Sequence, residues 1–261
     1  MSRLSVAGCA LVLAVFAPFA VSAGDMPDMG GRTISFATAG DYKPYAYVDE
    51  ATNKVAGFDI DVIEEAAKRL NAKVSWSVVN WDVMLQAIRD KQFEAGVDGI
   101  TITDERKGVV DFSSAYVTAQ TRMLVRTDES RFNDKAGFLA VENASVVVVP
   151  GTSQFYVASG EFFGGAESHP RMKTFENFGT GVLALASGDV DMVLTDAVSA
   201  VEFVRNSSGK LKLLDEILGA EDFGIVFTQG SDLVEPFDAA LEDMRGDGFM
   251  DQLAAKWLIQ K

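Results

Sequence analysis

Gly57-Phe58-Asp59-Ile60-Asp61-Val62-Ile63-Glu64-Glu65-Ala66-Ala67-Lys68-Arg69-Leu70 is the stretch that decides the fold class. Ile60, Ile63, Ala67 and Leu70 recur at helical spacing, so Asp59 to Leu70 reads as an amphipathic helix. Asp59 and Asp61 stand at its start, where carboxylates face the positive end of the helix dipole. Upstream, Arg32 to Thr38 reads as a strand with Ile34 and Phe36 on one face. Downstream, Val74, Trp76 and Val78 alternate as in another strand. Trp81 to Lys91 is helical again, with Leu85 and Ile88 apolar, and Phe93 to Ile100 is the next strand. The order β-α-β-α-β implies an α/β fold, a parallel sheet flanked by helices.

A second unit follows. Arg122 to Arg126 reads as a short strand, and Ser145 to Val149 as a fully buried one, because its valines run on without alternation. Gly179 to Ser187 is a helix; Val190 to Leu194, Leu211 to Leu214 and Gly224 to Thr228 are strands. Pro236 to Ile259 carries Phe237, Leu241, Met244, Leu253 and Trp257 in helical register, interrupted near Gly246 and Gly248. There is no internal repeat and no linker rich in Pro, Gly or Ser. Two lobes joined by strands fit this pattern better than two tethered domains.

The net charge is −15, from 23 basic and 38 acidic residues, which repels phosphate backbones and argues against nucleic-acid partners. At the N-terminus, Arg3 precedes an apolar run from Val6 to Ala20, and Val21-Ser22-Ala23 offers small residues for signal-peptide cleavage. The expectation is a signal peptide over residues 1–23 and a soluble mature chain from Gly24, exported to the periplasm. Val6-Ala7-Gly8-Cys9 has the form of a lipid-attachment site, but too few residues precede it to make an apolar region. Without Cys9 the mature chain has no cysteine, hence no disulfide and no thiolate metal site. Asp59 and Asp61 lack the further oxygen ligands of a calcium loop, so no metal and no cofactor is expected.

Four motifs carry chemistry, each with a plainer structural reading. In Gly99-Ile100-Thr101-Ile102-Thr103-Asp104-Glu105-Arg106, Thr103 can cap a turn, and Arg106 adds a forked cation suited to a carboxylate. The plainer reading pairs Arg106 with Asp111 on the surface. Pro150-Gly151-Thr152-Ser153-Gln154 follows a buried strand, where α/β sheets place their ligands, or is simply a capped turn. Asp196 closes Asp189-Val190-Asp191-Met192-Val193-Leu194-Thr195-Asp196 and can accept from an ammonium group or cap the following helix. Asp98, in the strand before Gly99, faces either a ligand or solvent.

Taken together and in order, these motifs resemble the family 3 extracellular solute-binding proteins, the amino-acid receptors of ABC importers. Gly57 to Val62 with Ala66, Ala67 and Leu70 carries the resemblance, as do Trp81-Asp82 before Leu85 and Thr101-Ile102-Thr103 to Arg106. So do Val110-Asp111-Phe112-Ser113 to Tyr116, Gly151-Thr152, Gly188-Asp189-Val190-Asp191 to Asp196, and the Trp257 ending. The resemblance implies a two-lobed periplasmic-binding-protein fold with two crossover strands, near Ala119 and near Asp222, and a ligand cleft between the lobes. Lobe 1 would comprise residues 24–118 plus 223–261, and lobe 2 residues 119–222. It implies that Arg106 clamps a ligand α-carboxylate, helped by Thr101 and the Thr152-Ser153 turn. The α-ammonium would meet the Gly99 carbonyl, the Thr101 hydroxyl and Asp196, while Tyr42 and Trp81 flank the ligand side chain. Closure of the lobes on the ligand would present a form that a membrane permease recognises, and the protein is expected to act as a monomer.

Two positions depart from the pattern. Ala39 stands where receptors for basic amino acids carry an acid, whereas Asp98 adds an acid at a position that is commonly small, and would favour a cationic ligand if it faces the cleft. Other readings stay open: a receptor for an opine or a compatible solute, the periplasmic part of a signalling receptor, or an enzyme resembling cyclohexadienyl dehydratases. The enzyme would need a general acid in the cleft, for which Asp98, Asp196 or Glu202 could serve. His169, the single histidine, reads as loop.

Overall fold

The computed structural model describes residues 26–259. The expected signal peptide and the Cys9 motif lie outside them. One five-stranded sheet runs in the order Lys73–Val78, Thr33–Thr38, Ala95–Gly96, Val226–Thr228, Val110–Phe112. Its first three strands are parallel, while Val226–Thr228 is antiparallel to both its neighbours. A second five-stranded sheet has the order Met172–Thr174, Val146–Val148, Met192–Asp196, Val117–Arg126, Leu211–Phe223. Each sheet centres a lobe. The chain leaves the first sheet after Phe112 and returns to it at Val226, so the first lobe is built from both ends of the chain.

The helix read from Asp59 to Leu70 spans Phe58–Arg69. It packs against the helices Val234–Gly246 and Phe249–Trp257, which explains how a C-terminal segment completes the N-terminal lobe. Phe237 lies 5.7 Å from Phe36 and 5.6 Å from Phe227, ring to ring, in the core of the first sheet. All three rings are fully buried, each contributing roughly 1.5–3 kcal/mol by leaving water. The break between the two C-terminal helices falls at Gly248, whose φ of +79° ends one helix and starts the next.

Some elements differ from the sequence reading. The strand expected over Phe93 to Ile100 is paired only at Ala95–Gly96, because the chain turns at Gly99, where φ is +59°. The short strands expected at Arg122 to Arg126 and Leu211 to Leu214 are parts of two long ones, of 10 and 13 residues. These pair antiparallel, Thr118 opposite Asp222 and Ala119 opposite Glu221, with irregularities between Leu213 and Gly219. Pairing with a partner about a hundred residues away, and not local hydrophobicity, makes the acidic run Glu216 to Asp222 a strand. A three-stranded sheet of Asp41–Tyr42, Ala46–Asp49 and Lys54–Ala56 was not read from the sequence. Nor was the short helix Ser153–Val157 with its π-helical continuation Ala158–Phe162. Among the described residues, no helix is long and apolar enough to cross a membrane.

Candidate cleft between the lobes

Arg106 is placed by the turn before it. The Thr103 hydroxyl accepts from the Arg106 amide at 3.2 Å, capping the single-turn helix Asp104–Lys107. The side chain then runs inward, and it is nine-tenths buried. Nη1 donates to the Thr101 carbonyl at 2.7 Å, and Nη2 donates across to the Gly151 carbonyl of the other lobe at 2.9 Å. Its guanidinium lies 5.5 Å from the Trp81 ring. Burial of this cation pulls its pKa below the ordinary arginine value. Arg106 does not pair with Asp111, which accepts instead from the Gly230 amide at 2.7 Å, so the surface-pair reading is corrected.

Asp196 belongs to the second lobe, at the end of the strand Met192–Asp196. It caps the helix Ala197–Asn206 by accepting from the Val198 and Ser199 amides at 2.9 and 3.0 Å. The same carboxylate accepts from Tyr42 at 2.6 Å and Tyr45 at 3.1 Å, both from the first lobe. The cap reading of Asp196 therefore holds, and the same side chain ties the two lobes through the tyrosines. Its pKa is raised by burial, against the pull of these hydrogen bonds. Trp81 adds another bridge, Nε1 to the Pro150 carbonyl at 3.2 Å. With these bonds the lobes are closed on one another.

Tyr42, Trp81, Asp98, Gly99, Thr101, Arg106, Thr152 and Ser153 all line the cavity between the lobes. Asp196 stands behind Tyr42 and is not part of that lining. The empty space between the cavity walls is about 420 Å³, open solvent at its mouth included. Tyr42 stacks on Tyr45 at 5.6 Å and meets Phe178 at 5.4 Å. The Thr152 hydroxyl is engaged in its own turn, donating to the Val149 carbonyl at 2.8 Å and accepting from Phe155 N at 3.1 Å.

Asp98 is buried, which overturns the solvent-facing alternative. Its Oδ1 accepts from the Thr38 hydroxyl at 2.9 Å and the Gly40 amide at 3.2 Å, while the side chain borders the cavity. Burial, and next the charge of Asp41, hold its pKa well above the usual carboxylate range. Asp59 lies in the first turn of its helix, as the sequence suggested, but makes no cap hydrogen bond. It points inward, fully buried, and accepts from the Gly99 amide at 2.7 Å beside the Tyr116 phenol, so it fixes the left-handed turn at Gly99. Burial raises its pKa to about 7.

Sequence reading missed several cleft residues. Asp41 and Glu176, one from each lobe, both border the cavity. Asp41 sits at an exposed rim, yet desolvation by the cavity wall, and after it Glu176, raise its pKa. Glu221, on the long strand Leu211–Phe223, lies behind the wall. Alternation at Asp41-Tyr42 and Glu221-Asp222-Phe223 is too short to mark which acid turns inward. His169 stacks on Phe163 at 4.3 Å and borders none of this. Among the described residues no cluster of acids, histidines or cysteines could hold a metal ion.

Two α/β lobes closed over a small, charged cleft define a solute-binding protein. The model of the bacterial extracellular solute-binding proteins, family 3, matches residues 34–260, and the chain belongs to that family. It is 26% identical to the L-cystine-binding protein TcyA of Bacillus subtilis over 226 residues, 86% of this chain and 80% of that one. It is also 26% identical to a probable histidine-binding protein of Campylobacter jejuni, over 87% of this chain and 86% of that one. Among solved structures, the arginine-, lysine-, histidine-binding protein ArtJ of Geobacillus stearothermophilus superposes with a TM-score of 0.79 at 27% identity, covering 88% of this chain and 96% of that one. The ancestral amino acid-binding protein AncCDT-1, a precursor of cyclohexadienyl dehydratase, gives 0.78 at 30% identity, covering 87% and 96%.

Proposed function

We propose that the protein is the periplasmic receptor of an ABC importer and that its cleft takes an L-amino acid with a cationic side chain. The observation that carries this is the pair of buried charges at the closed interface, Arg106 of the first lobe bonded to Gly151 of the second and Asp196 of the second lobe bonded to Tyr42 of the first. A zwitterion needs one cation for its carboxylate and one anion for its ammonium, and here they come from different lobes, so the ligand itself ties the closed form. Arg106 takes the α-carboxylate. Asp196 takes the α-ammonium once the Tyr42 hydroxyl yields, with the Gly99 carbonyl and the Thr101 hydroxyl beside it. Trp81 and Tyr42 flank the side chain, and Thr152 and Ser153 close the far wall. Asp41, Asp98 and Glu176 give this cavity an excess of acid over its single arginine, which favours a guanidinium, ammonium or imidazolium group. Relatives named for histidine and arginine support the same class.

The lobes are assigned as residues 24–118 with 223–261, and 119–222, hinging where Thr118 pairs with Asp222 and Ala119 with Glu221. Export by the segment 1–23 and action as a monomer complete the reading. The protein binds and does not transform its ligand. The relative named as a precursor of a dehydratase makes the catalytic reading worth testing directly. The experiment is a thermal-shift panel of the common L-amino acids, opines, betaines and prephenate on protein refolded free of ligand. Ligand at a hundred times its Kd adds about 2.7 kcal/mol of stability. A shift confined to arginine, lysine, ornithine or histidine supports the proposal. A response only to betaines or opines would sink it, and release of phenylpyruvate from prephenate would replace it with an enzyme.

A further inference from the structure

Glu221 touches no part of the cavity surface, yet three of the side chains that form that surface, Thr101, Ser153 and Gln154, are bonded to it. Its carboxylate is buried, at 6% exposure. Thr101 of the first lobe donates to Oε2 at 2.7 Å. Ser153 of the second lobe donates to the same oxygen. Thr121, on the strand Val117–Arg126, donates to Oε1, and the Gln154 amide reaches Oε1 at 3.1 Å. One carboxylate, itself on one of the two long strands, thus gathers donors from both lobes and from the other long strand. Opening the cleft must pull Thr101 and Ser153 apart, since their hydroxyl oxygens are 3.0 Å from each other across the interface.

A hydroxyl has a single proton and two lone pairs, while an ionised carboxylate only accepts. Thr101 could also donate to Ser153 Oγ at 3.0 Å and Ser153 to Gln154 Oε1 at 3.2 Å, but the charged Glu221 oxygen is the nearer and stronger acceptor for both, so their protons go there and the oxygens they turn toward the cavity can only accept. We infer that Glu221 is a positioning residue that sets the polarity of the cleft: it makes Thr101 and Ser153 acceptors for a ligand N–H group and withholds them from the ligand carboxylate. The carboxylate is then left to Arg106 alone among these side chains. This inference rests on the amino-acid reading above and corrects the role the family resemblance implied for Thr101 and Ser153 at the α-carboxylate.

The probes are L-arginine and 5-guanidinopentanoate, which is arginine without its α-amino group, measured by titration calorimetry on the full mature chain. In Glu221→Gln the new amide donates to the hydroxyls and turns their protons toward the cavity. L-Arginine affinity then falls about tenfold or more, the size of a lost hydrogen bond to a charged group, while the affinity for 5-guanidinopentanoate holds or rises. Thr101→Val, which leaves Glu221 in place, reports the same selective loss should Glu221→Gln fail to fold. Equal weakening of both ligands would reduce Glu221 to a structural role and overturn the inference while leaving the amino-acid reading intact. Wild-type protein with no affinity for L-arginine, L-lysine, L-ornithine or L-histidine would overturn that reading and the inference together.

Discussion

Tyr42 donates its phenolic proton to Asp196 at 2.6 Å, and this bond joins the two lobes at the point where a ligand ammonium is expected. Tyr45 supports the same carboxylate from the same lobe at 3.1 Å. The closed form therefore has an internal substitute for part of the ligand. Tyr42→Phe removes the stronger bond and leaves a buried carboxylate with one donor fewer, a loss of about 1–3 kcal/mol. The ligand-free variant should sample the open form more, seen as a larger radius of gyration in small-angle scattering. An unchanged radius would show that this bond does not hold the lobes together.

Arg106→Ala should weaken amino-acid binding by about 2–5 kcal/mol, as for truncation of a buried charge partner. Arg106→Lys should not restore it, because an ammonium cannot bridge the Thr101 and Gly151 carbonyls as the fork does. Calorimetric affinities for one amino acid across the three proteins check this; full recovery with lysine would count against the fork.

The buried Asp59 makes stability depend on pH. Its carboxyl has a folded pKa of about 7 against the ordinary 3.8, so between these values the folded state binds more protons than the unfolded one. Stability from this group is then greatest in acid and declines as pH rises toward 7, by at most about 1.4 kcal/mol per unit, levelling off above it. Urea denaturation of wild type and Asp59→Asn from pH 5 to 8 measures the difference. The asparagine variant should lose this slope, and two parallel profiles would disprove the assignment.

Gly57 cannot carry a side chain. Its φ is +134°, and a Cβ there would lie 2.1 Å from the Tyr45 carbonyl oxygen. Gly57→Ala should cost about 3 kcal/mol or more, through backbone strain and displacement of the Tyr45 segment. A melting temperature near that of the wild type would mean that the loop at Tyr45 yields freely.

The acid pair at the rim bears on selectivity. Asp41→Asn with Glu176→Gln should reduce affinity for arginine or lysine far more than for glutamine, since only the side-chain charge has lost its partners. Competition titrations with these amino acids would show it, and an equal effect on all three would remove both acids from ligand recognition.

Much of the cleft was legible because its residues sit at ends of elements that have strong local signals. Arg106 follows a threonine cap, Asp196 ends a buried strand, and Thr152 begins a helix. Glu221 had no such signal. It lies in an acidic stretch whose strand character comes from its partner, and the residues it binds are 68, 100 and 120 positions away. Asp59 was legible as an acid at a helix start, but its bond to Gly99 was not, because periodicity places a residue on a helix and not beside a turn 40 positions away.

By itself the sequence determined the α/β alternation, the register of the Phe58–Arg69 helix and the turns that precede the cleft residues, since each depends on neighbours within a few positions. Only the tertiary structure decided which acids turn inward, that Asp196 is shared between a helix cap and two tyrosines, and that the two long strands pair along their length, Glu221 opposite Ala119. Those outcomes depend on desolvation and on partners brought from distant parts of the chain, and neither is encoded in local spacing.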